Sequence, residues 1–284
     1  MSELTKRVIS ATVLILLFAY LIYDASYLGV IAAAIVFALI FWEFLLLIEQ
    51  KKNRIIFLCV FIILNIFVPL LLIQLIKFLH QNYNSSIYAF FFFCLSWCII
   101  GIWIFRFNVK KLSDLQVCFL GSLILIPALN SLFIILSNPM YPLIIIGSVA
   151  IADTVAYFSG KLFGKRKILP KISPGKTIEG FISALLITPL CLATIANSFD
   201  LNIIEFLFFG FFVTLISFVG DITFSLLKRN KGVKESSNLI PGHGGFIDLL
   251  DGVIAVLPFF AFSALLVFYL EYDFAWITFA SMIN

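Results

Sequence analysis

The sequence predicts an all-α, polytopic integral membrane protein of about nine transmembrane helices. Three observations carry this reading. Of the 284 residues 63% are hydrophobic and only 12% charged, about half the charged share of a soluble domain, so one packed soluble core cannot absorb them. The apolar runs reach the ~20 residues needed to cross hydrocarbon, and the 34 Phe suit lipid-facing surface. Finally, of the 19 basic residues all but Lys77 fall in alternate polar segments, the mark of cytoplasmic loops.

The first span, 8–23, follows Lys6 and Arg7 and imitates a secretory signal. No small-residue cleavage site stands near Asp24 and Ala25, and more spans follow, so it reads as an uncleaved helix. Four spans come next, at 27–48, 55–79, 87–105 and 115–136. The last four are 142–160, 181–199, 203–227 and 252–272. With the N-terminus cytoplasmic, the cytoplasmic segments hold Lys51, Lys52 and Arg54, then Arg106, Lys110 and Lys111, then the basic loops 161–180 and 228–251. The opposite loops "HQNYNSS" (80–86) and "SNPMYP" (137–142) carry no basic residue and read as connectors. Cys59, Cys94, Cys98, Cys118 and Cys191 lie inside apolar runs without CxxC spacing and read as packing residues. The bilayer is the expected partner and nucleic acid is not; a homodimer is compatible with this architecture.

The halves of this single membrane domain differ. Residues 1–140 read as scaffold helices, with polar residues mainly at span ends. Residues 141–284 read as the catalytic region, because Asp153 and Asp221 fall inside apolar segments and intramembrane carboxylates are costly enough to suggest function. Asp153 lies about eleven residues into its span, ~17 Å, and Asp221 about eighteen residues into its own, ~27 Å, so both approach the cytoplasmic leaflet. Asp248 and Asp251 are expected to meet that leaflet from the loop before the last span. Ser217, Asp221, Ser225 and Lys228 recur at helical spacing and share one face.

Hard oxygen ligands beside a pool of cations describe a phosphate-binding Mg²⁺ site. In "GHGG" (242–245), Gly244 and Gly245 let backbone N–H groups approach an anion, while His243 is placed to hydrogen-bond or protonate a phosphate oxygen. "GKLFGKRK" (160–167) and "ISPGKTIEG" (172–180) add cations beside turn glycines. Plainer readings stand beside these. Gly160 and Gly164 form a small-residue pair suited to close helix packing, and Thr177 with Glu179 suits a helix start. Glu43, near a span end, reads as structural. "GKT" (175–177) is not a nucleotide P-loop, because Pro170 stands where that pattern needs Gly.

"SFVGDITFSLLKR" (217–229) followed by "IPGHGGFIDLLDG" (240–252) resembles the signature of the phosphatidate cytidylyltransferases, also called CDP-diacylglycerol synthases. "ADTVAYFSGKLFGK" (152–165) and "ISPGKTIEG" resemble that family's other blocks in the same order, and "FWEF" (41–44) agrees more weakly. The resemblance implies that CTP and phosphatidate give CDP-diacylglycerol and pyrophosphate, with Mg²⁺, at the cytoplasmic face of the cell membrane. It implies metal binding by Asp221 and Asp248, with Asp251 as a further ligand or just behind the ligands. A second, monovalent cation is left open.

On that reading Lys165, Lys176, Lys228 and Arg229 cradle phosphates, with Lys234, Ser225, Gly244 and Gly245 on the substrate side. His243 orients or protonates the leaving pyrophosphate, and Asp153 orders the basic loop that follows it. Two positions depart from the family pattern: Glu235 stands for its Asp, and Leu249 for its Arg. Two other readings stand beside this one. A secondary transporter would also use midmembrane acids, but no inverted repeat is visible and the acids crowd one leaflet. A CDP-alcohol phosphotransferase pattern begins at Asp251 and Gly252 but has Val256 where it needs Arg.

Overall fold

The structure, a computed structural model, describes residues 27–79, 85–106, 111–138, 140–242, 244–270, 274, 275 and 277. The expected span 8–23 lies outside them. Among the described residues the helices are α1 (Tyr27–Leu47), α2 (Lys51–Leu79), α3 (Ser85–Arg106), α4 (Asp114–Ile135), α5 (Met140–Phe163), α6 (Ile178–Ser198), α7 (Ile203–Lys231) and α8 (Phe246–Leu270). Among the described residues six stretches are long and apolar enough to cross a membrane: Leu28–Leu47, Asp114–Ile135, Met140–Phe163, Ile178–Ser198, Ile203–Lys231 and Phe246–Leu266. Large apolar side chains cover the outside, Phe92, Phe119, Phe133 and Leu186 among them, while Glu43, Thr214, Ser217 and Asp251 are buried. That inversion of the soluble pattern belongs to a protein whose solvent is lipid.

Helix α8 occupies the centre, packed against α1, α3, α4, α5 and α7. Beyond Gly252 its sequence is apolar on all sides, as a surrounded helix requires, and Ile254, Ala255, Val256, Phe260, Ala261 and Ala264 are buried. Helices α5, α6 and α7 pack in succession beside it. The α5–α6 contact is tight because a Cβ on Gly180 would lie 2.6 Å from the Ala156 carbonyl, and one on Gly160 2.9 Å from the Thr177 hydroxyl. The glycine pair 160/164 therefore serves helix packing.

Two features differ from the sequence expectation. The basic loop after α5 contains an antiparallel hairpin, β1 (Lys167–Leu169) with β2 (Ser173–Thr177), in register Lys167 with Thr177 and Leu169 with Ser173. Thr177 ends the hairpin and starts α6, its hydroxyl accepting the Gly180 N–H at 3.2 Å. The second correction is that α8 begins at Phe246, not near 252, so Asp248 and Asp251 lie on its first turns rather than in a preceding loop. Acidic residues stabilise that end of a helix, where N–H groups lack intrahelical partners. Helix α7 likewise runs to Lys231, with Lys228, Arg229 and Lys231 in its last turn, and stops at Gly232 with φ +80°.

Helices α7 and α8 cross where two glycines face each other. A Cβ on Gly220 would meet the Ala255 Cβ at 2.6 Å and the Asp251 carbonyl at 2.7 Å, and one on Gly252 the Ser217 Cβ at 3.2 Å. Asp221 follows the first glycine and Asp251 precedes the second, so the close crossing brings their carboxyl groups into one region. Gly220→Val is expected to cost about 2 kcal/mol through overpacking, measured as a lowered thermal midpoint in detergent; an unchanged midpoint would refute the tight crossing.

Candidate active site

Four carboxyl groups from three helices face two ammonium groups towards the C-terminal end of α7. Asp221 Oδ2 lies 2.5 Å from Lys176 Nζ, with the two side chains 28% and 21% exposed, and its Oδ1 accepts the Ser225 hydroxyl at 3.2 Å. Lys176 comes from β2, and its ammonium also sits 4.5 Å from the centre of the Phe218 ring, which stacks on Phe181. The hairpin therefore exists, from the site's point of view, to hold Lys176 over α7.

The Asp248 and Lys228 pair is more enclosed. Their side chains are each 9% exposed and lie 2.5 Å apart. The other oxygen of Asp248 accepts the Ser236 N–H at 2.7 Å, the Ser236 hydroxyl at 2.9 Å and the Gly245 N–H at 2.9 Å. Asp251 is buried and interacts electrostatically with Asp221, Lys228, Lys176 and Asp153. Asp153, on α5, interacts with Asp221 and Lys176. Its side chain is exposed.

Asp153, Lys176, Asp221, Ser225, Lys228, Asp248 and Asp251 are thus brought together. The other expected site residues are placed differently. Arg229 donates to the carbonyl oxygens of Ile172 and Val233 at 3.2 and 3.4 Å, which ties the hairpin and the following loop to α7. Lys165 and Lys234 are exposed on the two loops; the backbone N–H groups of Lys165 and Arg166 are held by Glu179 at 3.0 to 3.3 Å. Gly244, with φ +99°, packs where a Cβ would lie 2.7 Å from Asp248 Oδ2, and Gly245 lies against Ser236 and Glu43. The N–H of Gly245 does meet an anion, and that anion is Asp248. His243 lies outside the described residues.

Sequence reasoning read Glu43 as structural and passed over Ser236. Glu43 is 0% exposed and accepts four hydrogen bonds: Ser237 hydroxyl at 2.7 Å, Ser236 hydroxyl at 2.8 Å, Ile247 N–H at 2.8 Å and Phe246 N–H at 2.9 Å. The available signal was a lone acid inside the apolar run of α1, the kind of residue that defaults to function.

The donor set suits a hard cation. Mg²⁺ is commonly held by one or two carboxylates, water and substrate phosphate oxygens rather than by an all-protein cage, and no group of three or more His, Cys, Asp or Glu among the described residues forms such a cage. Asp221 is the more accessible of the two lysine-paired carboxylates.

The sequence profile of the cytidylyltransferase family matches residues 5–267. The chain is 50% identical over 118 residues to the phosphatidate cytidylyltransferase of Haemophilus influenzae, covering 39% of this chain and 41% of that protein. It is 39% identical over 148 residues to the protein of the same name from Pseudomonas aeruginosa, covering 50% and 55%. The Bacillus subtilis protein of that name is 43% identical over 113 residues, covering 39% and 42%. The matched segments therefore span about half the length of these curated relatives or less.

Removing one member of a buried ion pair strands the other. Lys228→Met is expected to cost about 3 kcal/mol, and adding Asp248→Asn should recover part of that loss. Chemical denaturation in detergent measures both; a Lys228→Met protein as stable as the parent would show that the pair contributes nothing.

Proposed function

The chain belongs to the cytidylyltransferase family, and we propose that it transfers the cytidylyl group of CTP to phosphatidate, forming CDP-diacylglycerol and pyrophosphate in phospholipid biosynthesis. The observation that carries this reading is the convergence of Asp221, Asp251, Asp153 and Asp248 with Lys176 and Lys228 at one end of a helical membrane bundle. The names of the curated relatives supply the substrate class.

A phosphate oxygen of phosphatidate attacks the α-phosphorus of CTP, one P–O bond forms, and the bond to the β-phosphate breaks to release pyrophosphate. The nucleophile is already anionic, so no strong general base is required. Two polyanions must instead be brought together in line, which makes positioning and charge neutralisation the main contributions. Lys176 and Lys228 neutralise phosphate oxygens, with the exposed Lys165 and Lys234 drawing the nucleotide inward. Arg229 fixes the hairpin that carries Lys176. His243 orients or protonates the departing pyrophosphate. Asp221 and Asp248 would hold Mg²⁺, which would supply Lewis-acid neutralisation of the phosphates, and Asp251 and Asp153 would steady that charge from behind. A monovalent cation and a homodimer are compatible with the same site.

The full chain has nine spans in this reading, with the N-terminus and the site on the cytoplasmic side of the cell membrane, residues 1–140 as scaffold and 141–284 as the catalytic region. Cytoplasmic placement gives the site access to CTP, and the distribution of basic residues supports it.

Purified protein supplied with phosphatidate, Mg²⁺ and labelled CTP should form CDP-diacylglycerol and pyrophosphate. Asp221→Asn and Asp248→Asn should each lower turnover by about 10²-fold or more while the protein still inserts. Absence of product beside an active control enzyme would refute the reading. Single cysteines at Asn138 and Gly232, in a background lacking the native five, should label from the outside and from the cytoplasm respectively; labelling from the same side would refute the topology.

A further inference from the structure

We propose that Glu43 is a positioning residue for this site, setting the place of Asp248 through Ser236. The inference rests on the activity proposed above and extends the site to a helix at the other end of the chain. Both oxygens of Glu43 are fully used. One accepts the Ser237 hydroxyl and the Phe246 N–H; the other accepts the Ser236 hydroxyl and the Ile247 N–H. Its four donors come from the loop after α7 and from the first turn of α8, so a single side chain clamps the loop to the helix that carries Asp248 and Asp251.

Ser236 transmits the constraint. Its hydroxyl lies 2.8 Å from Glu43 Oε2 and 2.9 Å from Asp248 Oδ2, and its N–H donates to the same Asp248 oxygen at 2.7 Å. A hydroxyl has one proton, shared here between two carboxylates. The opposite oxygen of Asp248 meets Lys228. A chain of contacts therefore runs from Glu43 through Ser236 and Asp248 to a lysine of the site. Helix α1 is otherwise wholly apolar, and a buried carboxylate on it requires compensation. A simple cap for α8 would need only the two backbone N–H groups. The two serine hydroxyls lie beyond that need, and one of them is shared with Asp248.

The shape of the loop follows from the same contacts. A Cβ on Gly245 would overlap both oxygens of Glu43 and the hydroxyl of Ser236, which is why glycine stands there. The glycines of "GHGG" thus let the chain close over two carboxylates of the protein itself.

Glu43→Gln keeps the volume but turns an acceptor into a donor facing N–H and O–H groups. Expected is a fall in kcat of about 100-fold from misplacing the site, with KM for CTP nearly unchanged. Ser236→Ala should give a smaller fall, and the double variant should be no slower than Glu43→Gln alone, because both cut one path. Normal kcat per folded molecule in Glu43→Gln, or a double variant slowed by the product of the single effects, would overturn the proposal. If Glu43→Gln does not purify, Glu43→Asp, which keeps the charge and retracts it by one methylene, carries the same comparison. Amide exchange in nanodiscs separates this inference from the proposed activity. A wild-type protein that forms no CDP-diacylglycerol refutes the activity, while exchange at Phe246 and Ile247 still reports on Glu43. That exchange should quicken about tenfold or more in the variant, and unchanged exchange would overturn the clamp.

Discussion

The crossing of α7 and α8 at Gly220 and Gly252 is the constraint on which the site depends. Lipid offers little hydrophobic drive for helix association, so close approach through small residues does that work. Here the approach has a second consequence. Asp221 and Asp251 flank the two glycines, and drawing the backbones together draws the acids together. Helix α5 adds Asp153 from the side, and the hairpin between α5 and α6 adds Lys176. A wider crossing would leave each acid isolated in an apolar setting, which is the costliest place for it.

Compensation differs from one acid to the next, and the difference separates scaffold from working groups. Glu43 has four donors and no exposure. Asp248 has three donors on one oxygen and a lysine on the other. Asp221 has one lysine, one hydroxyl and partial exposure. The acids thus grade from fully satisfied to accessible, from Glu43 through Asp248 to Asp221. In the proposed reaction a cation arriving with phosphates would meet the accessible end, held steady by the satisfied one. Lys176 and Lys228 each neutralise a carboxylate here, and in the proposed reaction the same two side chains would neutralise phosphate oxygens.

Much of this was legible in the sequence because membrane proteins announce their spans. The helices expected at 27–48, 115–136 and 203–227 match α1, α4 and the body of α7, since apolar length alone sets them. The polar stripe on α7 was legible from its spacing, and it does carry Asp221, Ser225 and Lys228 into the site. The hairpin was not legible: "KIL" and "SPGKT" are too short and too polar to announce strands, and they pair only because Ile172 and the Arg229 contact fix the turn on α7. The early start of α8 was hidden because its first N–H groups are capped by an acid about 200 residues away, in α1. For the same reason Glu43 read as a structural acid at a span end. The N–H groups that "GHGG" was expected to offer a phosphate meet protein acceptors in this structure, Gly244 the Ile240 carbonyl at 3.0 Å and Gly245 Asp248 at 2.9 Å.

The central claim is that carboxylates from different helices form one cation site that phosphates complete. Mn²⁺ in place of Mg²⁺ makes it directly measurable, because electron paramagnetic resonance distinguishes bound from free metal. Purified protein in nanodiscs should bind Mn²⁺ more tightly when CTP is present, and Asp221→Asn should abolish that enhancement while the protein stays folded. Equal Mn²⁺ binding by the parent and Asp221→Asn proteins in the presence of CTP would contradict the account.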